Sequence, residues 1–397
     1  MTATPFEANG NSAWTTLAAE RAFYDTLAAS TGRLAVQTIG TSFGGRNIDL
    51  VRIGASTPPA PRSAAGALFI TGCPHGDEPS GREACMALAR DLAETSDPSL
   101  LAYLAEHPVY MIPTNNPDGF ASLQRPNGAG DDLNRDHILL ANPETVLVAT
   151  AIRDLSPDIH LDLHEADQSG SAEMQLLWPT NPNVDTALRD AAQALVTALQ
   201  AAGTAGGFTN ALYGVGGEGP EIGRNTAGLR HTLGILFETL NRNGNTRARR
   251  VTTHRAFIGY AIDYHQANAA AIAAVREGAR RRKEAEAITQ SRPFDLGGTL
   301  VSPPATNYQL TATQQTSAST QLQAFGVMVE NGAVWCHQAA QPVIPYLLDP
   351  SAPQRAAAGT RAFTACYPHR LEWWDDHRWR ETIALLPDGS AAAPTAQ

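Results

Sequence analysis

Apolar runs and amphipathic stretches alternate through the first three quarters of the chain. AERAFYDTLAAST predicts an opening helix, and LAVQTIG and NIDLVRIG predict two strands joined by the turn SFGGR. GALFITG reads as a buried strand, EPSGREACMALARDLAET as a helix, HPVYMIP as a strand and PETVLVATAIRDLS as a helix. DIHLDLHEA predicts a strand with Ile159, Leu161 and Leu163 on one face and His160, Asp162 and His164 on the other. VDTALRDAAQALVTALQAAG is a helix, HTLGILFETL a strand, and IDYHQANAAAIAAVREGARRRKEAEAI a long helix whose basic run alternates with acids at helical spacing. Helices between buried strands define an α/β class: a mixed, largely parallel central sheet with helices on both faces. From Arg292 the texture shifts to Pro, Thr, Ser and Gln with short β-like runs. The chain therefore divides into a main domain over residues 1–291 and a small β-rich appendage over 292–397, ending in the low-complexity tail SAAAPTAQ, expected to be disordered.

At 397 residues the chain is long enough for a large core and an appendage. Its 39 acids outweigh 29 bases for a formal net charge of -10, which argues for solubility and against nucleic acid as a partner. Cys73, Cys85, Cys336 and Cys366 form no CxxC pair and read as small buried residues. Neither a leader nor a run of about 18 apolar residues is visible. The expected location is cytoplasmic, or secreted or periplasmic if a leader has been removed.

The chemistry concentrates at strand ends. TGCPHGDEPSGRE follows the buried run GALFI, so His75 and Glu78 sit three apart at the mouth of a strand, where ligands of α/β sheets collect. His164 and Glu238 fall at the ends of two further predicted strands. Two histidines and a carboxylate make a three-ligand zinc set with a position open for water, and a further carboxylate supplies the base that such a water needs. A lone HxxE is common by chance. Buried carboxylates without partners cost several kcal/mol, so a packing role for all four residues would require ion pairs that the flanking apolar runs do not offer.

The segment NPDGFASLQRPNGAGDDLNRDH lies between the first two ligands and His164. With PHGDE before it and DLHEA and ILFET after it, the chain resembles the zinc metallocarboxypeptidases of the M14 type, the carboxypeptidase A-like family. The motifs stand in the family's order, and the turn GTSFGGR resembles the family's G-x-S-x-x-G-R. The resemblance implies one zinc per chain held by His75, Glu78 and His164, with Glu238 as general base and acid. It implies that Arg125 polarises the scissile carbonyl and that Asn134 and Arg135 grip the terminal carboxylate of a peptide. Tyr213, in ALYGVGGEGP, matches a mobile tyrosine that closes over substrate, or packs its ring under the glycine-rich loop. His137, His160 and His231 are read as structural, and Asp162 as either a partner of His164 or a buried acid satisfied by backbone.

The resemblance begins near Trp14, so no activation segment is expected before it, and the short link from Asp118 to Asn134 implies a differently shaped entrance to the site. The function expected is removal of a C-terminal residue from a peptide. Two alternatives stand beside it: a zinc deacylase acting on N-acyl amino acids or cell-wall peptides, and a non-catalytic zinc or peptide-binding module. Retention of Glu238 and Arg125 counts against the last, since binding alone needs neither a base nor an oxyanion donor.

Overall fold

The computed structural model describes residues 1–54, 66–166, 172–241 and 244–362, with the backbone of 371–372 and 382–383. Cys366 and the tail SAAAPTAQ lie outside the described residues. Strands β1 (Leu34–Thr41), β2 (Asn47–Ile53), β3 (Leu68–Gly72), β4 (Val109–Ile112), β5 (Ile159–Ala166), β6 (Met174–Leu177), β7 (Asn210–Leu212) and β8 (Leu233–Leu240) form one sheet. Its order is β1-β2-β4-β3-β5-β8-β6-β7. The four central strands β4, β3, β5 and β8 are parallel, and antiparallel pairing is confined to the β1, β2 side and to β6 against β8. Every residue of β3, β5 and β8 is buried, as expected of strands covered on both faces.

The helices are α1 (Pro5–Ala8), α2 (Leu17–Thr31), α3 (Ser80–Ala93), α4 (Pro98–Glu106), α5 (Pro117–Ser122), α6 (Pro143–Leu155), α7 (Thr186–Ala205), α8 (Gly223–Leu229) and α9 (Arg247–Thr289). Leu27, Leu88, Leu195 and Phe257 from α2, α3, α7 and α9 share one core with Ile70, Leu161 and Phe237 of the sheet. On the other face Val148 and Ile152 of α6 and Ala227 of α8 pack with Phe69 and Ile112. That second face also carries a polar stripe, in which Thr71 Oγ1 meets Asp162 Oδ1 at 2.8 Å and His160 Nε2 at 2.9 Å while Phe69 stacks on His160. The alternation expected of DIHLDLHEA is therefore observed.

Helix ends follow their capping chemistry. Thr16, Asp185 and Thr246 each accept a backbone N–H of the first turn of α2, α7 and α9, and Gly32 closes α2 with φ of 63°. Helix α9 begins at Arg247 rather than at Ile262, because Val251, Phe257, Ile258, Ala261 and Ile262 continue one buried stripe beneath the charges of RARRVTTHRAFIGY. In its basic run Arg280 and Arg281 pair with Glu277, whereas Arg282 reaches across to Asp185 and Lys283 is buried beside Glu286. Asp158, wholly buried at the foot of β5, takes His265 Nε2 at 2.9 Å and Arg276, tying this helix to the sheet.

Beyond it, β9 (Phe294–Asp295) pairs with β10 (Leu300–Val301), and β11 (Asn307–Gln309) lies between β12 (Ala333–Trp335) and β13 (Thr360–Ala362). Helices α10 (Ala312–Ser317), α11 (Ser319–Ala324) and α12 (Ile344–Leu348) complete this part. Its Phe294, Tyr308, Leu322, Phe325 and Leu347 belong to the same hydrophobic core as the main domain. Asn181 and Asn183 reach Tyr346 Oη at 3.0 and 2.6 Å, and Arg153 Nη1 donates to Gln323 O at 2.6 Å. Among the described residues these bonds land on α6 and on the loop before α7.

His231 sits in this seam, with Nε2 3.0 Å from Ala339 O, and burial pushes its pKa down to about 3. The folded state therefore holds the ring neutral, while the unfolded chain protonates it near pH 6.5. Stability from this site is present above that value and is lost as pH falls through it toward the folded value. Urea unfolding at pH 7 and at pH 4.5 should differ by about 2–3 kcal/mol from His231 alone, and His231→Gln should remove that share of the slope. An unchanged slope in the variant would exclude His231 as a contributor.

Candidate metal centre

The parallel strands β3, β5 and β8 bring their C-terminal ends to one edge of the sheet, the position where α/β folds place ligands. After β3 the chain turns tightly, with Glu78 N donating to His75 O at 3.1 Å, so both side chains leave the turn together. Gly76 is required there. A Cβ at that position would lie 1.9 Å from the carbonyl carbon of Gly119, so the turn rests directly on the backbone of α5. Asn116 joins the two loops: its Nδ2 donates to Pro74 O and to Arg125 O, both at 3.2 Å, and its Oδ1 accepts from Gly119 N at 2.9 Å.

His75 Nδ1 lies 2.8 Å from Glu78 Oε1, and His164 Nδ1 lies 2.9 Å from Glu78 Oε2 and 3.1 Å from His75 Nδ1. All three side chains are buried, and their ligand atoms fall within 4.8 Å of one another. The outer nitrogen of each ring faces a carboxylate: His75 Nε2 meets Asp132 Oδ1 at 3.0 Å, and His164 Nε2 meets Asp162 Oδ2 at 3.1 Å. Carboxylates so placed take the Nε2–H of each ring and leave both Nδ1 lone pairs aimed at the same point. Two imidazole nitrogens and one carboxylate, with no fourth protein ligand among the described residues, fit zinc in an open site.

Glu238 stands opposite His164 in the β5–β8 register. It is 7% exposed, its carboxylate has no hydrogen bond or ion pair among the described residues, and burial pushes its pKa up to about 8. A dication beside it draws the group back toward the carboxylate. Arg125 donates from Nη1 to Glu78 Oε1 at 3.2 Å and from Nη2 to Asp132 Oδ2 at 2.9 Å, while its side chain remains 44% exposed at the cleft.

Asn134 is buried beside His164, with Nδ2 3.3 Å from His164 Nε2 and Oδ1 accepting from Gly223 N at 2.8 Å. Since His164 Nε2–H is given to Asp162, that nitrogen cannot also accept, and the amide N–H groups of Asn134 stay available. Arg135 is exposed and donates to Asn134 O at 2.7 Å. Tyr213 is half-buried on the chain leaving β7; burial first, then the charges of Glu238 and Glu78, push its hydroxyl up to about 12 and keep it a donor.

Six expected residues, His75, Glu78, His164, Glu238, Arg125 and Asn134, thus converge on one edge, with Arg135 and Tyr213 at its border. Sequence reasoning missed Asp132 and Asn116. Asp132 was visible as an acid two residues before Asn134. Asn116 was visible only as the first residue of NPDG, with no sign of the loops it would join. NPDG and SFGGR, which read as separate motifs, prove to be halves of one contact: Asp118 accepts from Ser42 Oγ at 2.9 Å, Gly44 N at 2.7 Å and Arg46 Nη1 at 2.6 Å.

The fold is similar to that of the metallo-carboxypeptidase from Burkholderia cenocepacia, matched with a TM-score of 0.55 at 18% identity over 64% of this chain and 70% of that one. Residues 20–217 match the zinc carboxypeptidase family model, and the chain belongs to that family. Carboxypeptidase 2 of Trichophyton equinum is 29% identical over 196 residues, covering 43% of this chain and 36% of its own length. Carboxypeptidase D of Mus musculus is 33% identical over 129 residues, covering 25% of this chain and 9% of its own. The chain thus spans well under half the length of these curated relatives. Glu238 lies beyond the family match, so its placement rests on the strand register alone.

Purified protein should carry about one zinc per chain, and His75→Ala or His164→Ala should lose it. Asp132→Ala should keep the site and weaken it by about 10- to 100-fold, because the three ligands stay while the partner that orients His75 and holds Arg125 is lost. Metal analysis and competition with a chelator decide both; full occupancy in the ligand variants would remove the site.

Proposed function

We propose that the protein is a zinc-dependent exopeptidase that hydrolyses the C-terminal peptide bond of peptides. The observation that carries this reading is the unbonded carboxylate of Glu238, held in register with His164 at the mouth of the three-ligand cluster. Zinc bound there supplies a Lewis acid that makes water acidic near neutral pH.

The chain's own residues account for the remaining requirements. Glu238 accepts the proton of the attacking water and returns it to the leaving amine. Arg125 presents charge beside the ligand carboxylate, where the carbonyl oxygen becomes negative, an interaction worth roughly 3 kcal/mol per donor. Arg135 offers a planar fork to the terminal carboxylate, with the amide of Asn134 next to it. Tyr213 closes the cleft from the loop after β7. These residues all lie within 1–291, to which we assign the reaction; residues 292–397 contribute none of these side chains.

Glu238→Gln preserves shape but cannot take a proton, so zinc should stay bound while turnover falls at least about a hundredfold. A free C-terminus should be required: amidation leaves Arg135 facing a neutral group and should cost roughly 2–4 kcal/mol in kcat/KM. Arg135→Ala should reproduce most of that loss on the acid and add little on the amide, because both changes break one contact. Equal cleavage of acid and amide would point to an endopeptidase, and preference for N-acyl amino acids to a deacylase.

A further inference from the structure

Four arginines of the described chain are less than 9% exposed: Arg82, Arg90, Arg224 and Arg250. Arg82 pairs with Glu20 and Glu83, Arg90 with Glu7 and Asp91, and Arg250 with Glu165. Arg224, 2% exposed near the start of α8, pairs with no carboxylate among the described residues. Its acceptors are all neutral: Trp178 O at 3.3 Å from Nε, and Thr180 Oγ1 at 3.2 Å and Gly217 O at 2.5 Å from Nη2. Nη1 makes no hydrogen bond among the described residues, yet it is not sealed in the interior, so its N–H groups reach open space. A buried guanidinium without a counter-ion is costly, and burial pulls its pKa down to about 10.

The open space is the cleft. The groups whose charge bears on Arg224 are Asp162, Tyr213, Arg135 and Glu238, all at or beside the candidate site. Asp162 is already committed to Thr71 and His164. The preceding residue, Gly223, holds Asn134 through its backbone N–H. The loop that continues from Tyr213 passes directly over the guanidinium, since a Cβ on Gly216 would come 2.8 Å from Arg224 Nη2.

We infer that Arg224 is a specificity-determining residue whose missing counter-ion is the side-chain carboxylate of the substrate's C-terminal residue, so that peptides ending in glutamate or aspartate are preferred. This rests on the exopeptidase reading for its substrate, though not for its binding chemistry. The two carboxylates of such a residue are shared out, the α-carboxylate to exposed Arg135 and the side-chain carboxylate to buried Arg224. A charged hydrogen bond in a dry pocket discriminates strongly against its neutral isostere, because glutamine leaves the buried charge unpaired.

The test compares kcat/KM of the zinc-loaded parent and Arg224→Gln on matched peptides ending in Glu and in Gln. The parent should favour Glu by about tenfold or more, and the variant, which keeps a polar amide without the charge, should bring the ratio close to one. Calorimetric titration of Glu238→Gln protein with free L-glutamate and L-glutamine gives a reading independent of turnover. Glutamate should bind more tightly, and adding Arg224→Gln should abolish the difference. Equal handling of Glu and Gln by the parent overturns the inference while leaving the exopeptidase standing. An equal fall on both peptides in the variant also overturns it, showing that Arg224 only anchors the Tyr213 loop. Selective glutamate binding without peptide cleavage supports it and removes the exopeptidase reading instead.

Discussion

The upper face of the sheet is organised by one electrostatic constraint: Glu78, Asp162 and Glu238 are carboxylates buried in a single cluster, with Asp132 at its edge. Like charges gathered in a dry interior repel and lose hydration, so the cluster is tolerable only if positive charge joins it. The two ring systems respond to this demand. Burial works against protonation of His75 and His164, yet Glu78 and Asp132 beside the first and Asp162 and Glu78 beside the second raise both above the ordinary histidine range. A dication held between the two rings would supply the charge that the cluster lacks, with both rings neutral. Zinc uptake should accordingly release protons. Arg125, bridging Glu78 and Asp132, supplies the fixed part of the compensation.

Because the cluster must be assembled from distant parts of the chain, the parallel register does the positioning. His164 opposite Glu238, and Thr71 opposite Asp162, are consequences of strand pairing that reach through the whole sheet. The loops then need only local fixings. Asp118 closes the turn at Ser42 to Arg46 onto α5, the Gly76 turn rests on that helix, and Asn116 ties it to Arg125. A motif such as NPDG is therefore demanded by the architecture under the metal rather than by contact with it.

This division explains what could be read from the sequence. Strands buried on both faces are continuous apolar runs, and a histidine or acid ending one stands out, which made His75, Glu78, His164 and Glu238 legible. Arg125 and Asn134 came only through the family's motif order. The elements α1, α4, α5, β6, β7 and α8 were missed, being short or without a clear period, and α10 to α12 lie where only short β-like runs were expected. The three residues of β7 gain their strand geometry from β6 rather than from their own propensity. Asn116 and Asp132 act through other side chains, so nothing in their own neighbourhood announces them. The appendage was recognised by its change in texture, but that it completes the main core through Phe294, Tyr308 and Leu347 follows from packing that no local pattern encodes.

The three arginines of the cleft show how burial and pairing assign different tasks to one side chain. Arg125 is part-exposed and bound to two acids, so its charge is held in place before any substrate arrives, which suits a group that meets charge only as it develops. Arg135 is exposed and bonded to a backbone carbonyl, so it remains hydrated and surrenders little to receive a carboxylate from solution. Arg224 is buried and unpaired, so its desolvation is already complete when a ligand enters. A partner that brings the opposite charge relieves that penalty, whereas a neutral one does not. Under the proposed reading, selectivity in this cleft is set by the arginine farthest from water, and affinity for the chain terminus by the one nearest to it.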